Sequence, residues 1–136
     1  MVFRTDITVR WVDTDALGVV HYSNYFRYVE AAEEELYRSL GFTFKKLNER
    51  YRIAIPRIEA FCKYKAPARF GDIVAVALRL GEKTDKTMRY DFEIQRTHDG
   101  ELLCDGYIRI IGLDLTSWKA TDLPPDLVGK VEAALK

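Results

Sequence analysis

Tyr25, Tyr28, Val29, Ala32, Leu36 and Leu40 recur at spacings of three and four. That rhythm draws one apolar stripe along an α-helix, and a stripe must be buried against another layer. The helix is predicted from about Ser23 to Leu40, roughly 27 Å at 1.5 Å per residue. It is long enough to cross a whole sheet. Ser23 or Asn24 can cap its start through a short oxygen-bearing side chain. Gly41 suits the left-handed residue that closes a helix, and Glu34 and Arg38 stand four apart in the favourable order. The run Glu33, Glu34, Glu35 is expected to be solvated, as is His98.

The rest of the chain supplies the other layer. Residues 2–11 read as a strand with Thr5, Ile7, Val9 and Trp11 on one face. Residues 43–50 form a short second helix. Ile58, Ala60, Cys62 and Tyr64 alternate with charged neighbours, as in a half-exposed strand. Pro67 and Gly71-Asp72 break that pattern. Residues 73–80 are nearly all apolar and predict a more buried strand. Met88, Tyr90, Phe92 and Ile94 alternate with polar residues, and Asp99-Gly100 is a hairpin turn. Residues 101–115 are read as one long strand, where Gly106 marks a bulge or close packing. Pro124-Pro125 opens a terminal helix over residues 126–135. The order is strand, long helix, four antiparallel strands, short helix. It specifies a single α+β domain over residues 1–136, with the sheet curled round one helix. Exposed edge strands predict pairing with a second copy.

Composition removes several function classes. The 21 basic and 21 acidic residues cancel, so the basic excess of a nucleic-acid binder is missing. No apolar run reaches the ~18 residues of a membrane span. The first residues lack the apolar core of a signal peptide, which predicts a cytoplasmic location. Cys62 and Cys104 sit in strand patterns as small hydrophobes. No metal-ligand spacing, Gly-rich phosphate loop or Gly-x-Ser-x-Gly elbow is present.

The chemistry concentrates just ahead of the long helix, in Trp11-Val-Asp-Thr-Asp-Ala-Leu-Gly-Val-Val-His-Tyr-Ser-Asn-Tyr25. This stretch holds two carboxylates, a glycine, a histidine and an asparagine. Residues 12–26 resemble the signature of the 4-hydroxybenzoyl-CoA thioesterase family, including its YbgC-type acyl-CoA thioesterase branch, within the hotdog-fold superfamily. The shared pattern is Asp-x-Asp, then Gly-Val-Val, a His/Tyr pair, and Asn-Tyr opening the long helix. Lys65-Ala-Pro-Ala-Arg-Phe-Gly-Asp72 is similar to the family's strand-connecting segment, and the order of elements agrees throughout.

The resemblance implies a hotdog fold: a curved antiparallel sheet of about five strands wrapped round one long helix. It implies hydrolysis of an acyl-CoA thioester to free acid and CoA. CoA is then part of the substrate, and neither a cofactor nor a metal is required. The catalytic carboxylate maps to Asp15, with Asp13 holding the loop. The carbonyl-polarising donor maps to the backbone N–H near Tyr22, where a helix start favours negative charge. His21 could orient the carboxylate, donate to the thioester, or only satisfy the loop. Asn24 could touch substrate or cap the helix. Tyr25 and Tyr28 could line the acyl pocket or belong to the core, and Pro56 and Arg57 approach it from the next strand. Lys83, Lys86 and Thr87 lie at the turn that the family turns toward CoA. A homodimer or a homotetramer built of two dimers is expected. A hotdog dehydratase or hydratase, and a non-enzymatic acyl-thioester binder, are the alternatives.

Overall fold

The computed structural model describes residues 2–135. Its elements run β1 (Phe3–Thr8), α1 (Asn24–Ser39), α2 (Phe44–Lys46), β2 (Ile53–Ala54), β3 (Arg57–Tyr64), β4 (Ile73–Lys83), β5 (Thr87–Arg96), β6 (Leu102–Ile111), β7 (Leu113–Asp114) and α3 (Pro125–Leu135). A π-helical turn over Leu47–Tyr51 extends α2. Five strands form one sheet in the order β1-β4-β5-β6-β3, and every neighbouring pair is antiparallel. This is the expected α+β architecture, with β1 and β3 at the edges. A two-residue ribbon, β2 with β7, lies apart from it.

The stripe on α1 is buried as predicted. Val29, Ala32 and Leu36 are fully enclosed, and Tyr25 and Tyr28 nearly so. They pack with Val74, Val76 and Leu78 of β4, Met88, Tyr90, Phe92 and Ile94 of β5, and Ile108 and Ile110 of β6 in one core. Each fully enclosed Leu, Ile or Met contributes about 1.5–3 kcal/mol relative to exposure. Gly41 closes the helix with φ +80°, and Glu34 pairs with Arg38 at 3.2 Å.

Four expectations are corrected. Trp11 does not lie on β1: the strand ends at Thr8, because the Asp13 carboxylate accepts the Arg10 amide at 2.9 Å and turns the chain. Neither Ser23 nor Asn24 caps α1 with its side chain, since both are engaged in the preceding loop. The long last strand divides at Gly112, where an added Cβ would stand 2.4 Å from the Thr121 carbonyl oxygen. Glu33 is not solvated. It falls on the buried stripe four residues after Val29, is 2% exposed, and is neutralised by an ion pair with Arg57.

Around that pair a polar cluster is enclosed. Tyr37 and Tyr90 share a hydroxyl–hydroxyl bond of 2.7 Å. Arg57 also donates to the Ile55 carbonyl at 2.9 Å and lies over the Phe44 ring. Burial pushes the Glu33 carboxyl above its ordinary range, and the Arg57 guanidinium opposes the shift. The cluster ties the middle of α1 to the start of β3.

Gly106 answers the remaining glycine expectation with close packing. A Cβ there would sit 1.9 Å from the Phe61 carbonyl oxygen, so β6 meets β3 at a distance open only to glycine. Cys62 and Cys104 are both free thiols.

Candidate active site

The loop of residues 9–23 is organised by Asp13. Its side chain accepts from the Arg10 amide and from the Tyr28 hydroxyl, both at 2.9 Å. Its carbonyl accepts from the His21 amide at 2.9 Å and from Asn24 Nδ2 at 2.8 Å. Four bonds to one residue join the two ends of the loop and the first two turns of α1. Burial, reinforced by the bond to Asp13, pushes the Tyr28 hydroxyl up, so it remains a donor.

Asp15 sits two residues on, in a tight turn. Gly18 closes the turn, donating to the Asp15 carbonyl at 3.0 Å with φ +79°. The Asp15 amide donates to the Val19 carbonyl at 2.8 Å. One carboxylate oxygen accepts from the Leu17 amide at 2.8 Å. Among the described residues the other oxygen has no partner. The half-buried carboxylate is therefore oriented through one oxygen and free at the other, as a base or a nucleophile must be. The loop is pinned from behind: the Val20 amide donates to the Ala68 carbonyl at 2.9 Å, and Val19 bridges to Arg69.

His21 and Tyr22 stand between this turn and the helix. Their rings stack at 4.4 Å. His21 Nδ1 lies 2.7 Å from Ser23 Oγ and receives the Ser23 amide at 3.3 Å. The Tyr22 carbonyl accepts from the Tyr64 hydroxyl at 2.8 Å. The Tyr22 amide has no acceptor among the described residues. It stands next to a helix start whose first-turn donors lack a side-chain cap. This local geometry suits a developing oxyanion.

Tyr25 and Tyr28 occupy the inner face of α1, with both hydroxyls engaged. Tyr25 accepts the Ala68 amide at 3.1 Å, and burial pushes its hydroxyl up. The structure thus gathers Asp13, Asp15, His21, Tyr22, Asn24, Tyr25 and Tyr28 at one end of the fold. Tyr64 joins them from β3. No local pattern pointed to it, because its partner is 42 positions away.

The other candidates lie at the opposite end. Arg57 pairs with Ile110, Ile110 with Met88 and Met88 with Lys83, so these residues form one cross-strand row. The loop side of the sheet begins at the pair Thr8–Ile73. Along β3, Arg57 stands seven residues from Tyr64 at the loop end, roughly 23 Å at about 3.3 Å per residue. Lys83 pairs with Glu132 at 3.4 Å and Lys86 with Asp122 at 3.0 Å. Thr87 Oγ1 meets Thr84 Oγ1 at 2.8 Å. Pro56 is exposed, and Arg57 is engaged by Glu33. Within one copy these residues cannot reach Asp15.

The model of the thioesterase-like superfamily matches residues 9–131. A protein of Aquifex aeolicus is 38% identical over 84 residues, which span 62% of this chain and 65% of that protein. The acyl-CoA thioesterase YbgC of Haemophilus influenzae is 26% identical over 125 residues, 92% of this chain and 90% of that one. Among solved structures, a 1,4-dihydroxy-2-naphthoyl-CoA thioesterase from Synechocystis superposes with a TM-score of 0.91 at 23% identity, covering 96% of each chain.

Proposed function

We propose, from the premise that this chain belongs to the thioesterase-like superfamily, that it hydrolyses an acyl-CoA thioester to the free acid and CoA. The observation that carries the reading is the Asp15 carboxylate, anchored at one oxygen and open at the other, in a loop that leads to the uncapped start of α1. Asp15 takes a proton from water as the water oxygen attacks the thioester carbon, or attacks that carbon itself and forms an anhydride that water then opens. Either way the C–S bond breaks and the CoA sulfur leaves as thiolate. The Tyr22 amide stabilises the carbonyl oxygen while it carries negative charge. Asp13 and Asn24 hold the loop. No metal or cofactor takes part.

Asp15→Asn tests this directly. The amide keeps an oxygen for the Leu17 amide, so the fold is retained. Thiol release should fall by about 100-fold or more, the scale of general acid–base and nucleophilic contributions. Full activity in the Asn variant would overturn the assignment. Wild-type protein that binds acyl-CoA without releasing thiol would instead favour a binding protein.

The working unit on this reading is at least a homodimer. β3 is an edge strand with Ile58, Phe61 and Tyr64 all about half exposed. Antiparallel pairing of two β3 strands centred on Phe61 sets Glu59 opposite Lys63 and Ile58 opposite Tyr64 of the second copy. It also carries Pro56, Arg57 and the 83–87 turn of one copy toward the Asp15 end of the other. The separated candidates then meet at one site, with Lys83, Lys86 and Thr87 on the CoA side and Pro56 and Arg57 on the acyl side. Phe61→Glu would oppose two like charges at the centre of that pairing. It should give a monomer by light scattering and abolish turnover; an active monomer refutes this arrangement. A cytoplasmic location completes the reading, since both thiols stay reduced there.

A further inference from the structure

We propose that Tyr64 is a positioning residue for this hydrolysis: it holds the Tyr22–Ser23 peptide so that the Tyr22 amide and His21 Nε2–H both remain free for the thioester. The inference rests on the acyl-CoA reading and adds a residue and a tautomer to it.

One peptide group is gripped from both sides. Its carbonyl, on Tyr22, accepts the Tyr64 hydroxyl at 2.8 Å. Its N–H, on Ser23, donates to His21 Nδ1 at 3.3 Å. A backbone N–H can only donate, so Nδ1 must offer its lone pair, and Ser23 Oγ, 2.7 Å away, donates to the same nitrogen. The neutral ring then carries its hydrogen on Nε2. Neither that nitrogen nor the Tyr22 amide has a partner among the described residues. The two free donors therefore come from consecutive residues, and the neighbouring peptide fixes the orientation of both.

Tyr64 is well placed to hold this arrangement. Its ring meets Tyr25 edge-on at 5.5 Å and Tyr22 at 6.5 Å, which aims the hydroxyl. Partial burial pushes that hydroxyl up, so it stays a donor wherever hydrolysis is measured. Tyr22 itself is 66% exposed and has little packing to hold its peptide. Without the Tyr64 bond the Tyr22–Ser23 peptide can rotate, turning its N–H from Nδ1 and freeing the imidazole to change tautomer and tilt. Misplacing donors by an ångström is enough to slow a reaction strongly.

The test compares wild-type protein with Tyr64→Phe, which keeps the ring and removes only the hydroxyl. Thiol release from a hydrolysed acyl-CoA should show kcat lower by about tenfold or more and KM within about twofold, the mark of a loss confined to the transition state. A second readout uses an acyl-CoA analogue with CH2 in place of the thioester sulfur and 13C at the carbonyl. On wild-type protein its resonance should move downfield; on Tyr64→Phe the displacement should shrink while the analogue still binds. Ser23→Ala, which removes the Oγ contact to Nδ1, should also lower kcat without raising KM. An unchanged kcat in Tyr64→Phe, an effect on KM alone, or an unchanged 13C displacement overturns the proposal. Absence of thiol release by wild-type protein from every acyl-CoA tried overturns the hydrolase reading itself, and that arm is scored before any variant.

Discussion

Arg57→Met should be strongly destabilising, and its effect should depend on pH. The Glu33 side chain is 3% exposed and the Arg57 side chain 29%. Removing the guanidinium leaves a carboxylate inside the core with no compensating charge. Breaking a buried pair from one side costs about 3–5 kcal/mol. For a chain of this length each kcal/mol lowers Tm by about 3–5 °C, so a drop of about 10–20 °C is expected at pH 7. Burial already raises the Glu33 carboxyl above its ordinary 4.5, with Arg57 pulling it back. Without Arg57 it rises further. A carboxyl whose folded pKa lies above its unfolded value holds its proton more tightly when folded. Its contribution is fully present below the unfolded pKa and is lost as pH climbs above it. The variant should therefore be closest to wild type near pH 4 and furthest from it near pH 8. Glu33→Leu combined with Arg57→Met should recover most of the loss, since an apolar replacement of both partners removes the burial penalty. Calorimetry at fixed protein concentration across pH 4–8 measures all of this. Equal losses at both ends of that range, or a Tm within a few degrees of wild type at pH 7, would refute the account.

Two further substitutions probe the loop and the sheet. Tyr28→Phe removes one of the two donors to the Asp13 carboxylate and should lower stability by about 1.5–3 kcal/mol, the range for bonds to charged groups. Urea unfolding checks this, and an effect below measurement would show that Asp13 does not depend on that hydroxyl. Gly106→Ala asks a Cβ to fit 1.9 Å from the Phe61 carbonyl oxygen. The edge strand must shift, so about 3 kcal/mol or more should be lost, together with any assembly through β3; a native Tm with native assembly would contradict the packing.

The elements that could be read from the amino-acid order are those where burial imposes a period. The stripe from Tyr25 to Leu36 and the alternation from Met88 to Ile94 each show one enclosed face, and the sheet–helix layering follows from them. The loop motif identified Asp15, His21 and Asn24 as near neighbours. What escaped depended on partners distant in the chain. Glu33 looked like one of three solvated acids until Arg57, 24 positions on, came to meet it. Gly112 ends the last strand because residue 121 crosses beside it. Tyr64 resembled any half-exposed strand residue, since nothing near it in the chain marks the Tyr22 carbonyl as its acceptor. The 83–87 turn belongs to a site only if a second copy is counted, and one chain's sequence does not state its assembly.

The anchors of the Asp15 loop also bear on when the site can form. Val9 donates to Asp72 at 2.8 Å, Val20 to Ala68 at 2.9 Å, and Tyr64 reaches back to Tyr22. Among the described residues β3, which carries Tyr64, has β6 (Leu102–Ile111) as its one neighbour in the sheet. The Asp15 loop thus precedes in the chain the strand that completes its support. Until residues 102–111 have emerged and paired, β3 has no strand beside it, and the Tyr22 carbonyl lacks the Tyr64 hydroxyl that holds it. A chain that ends before residue 102 should therefore lack thioesterase activity, and the appearance of activity during refolding should report the docking of the last long strand.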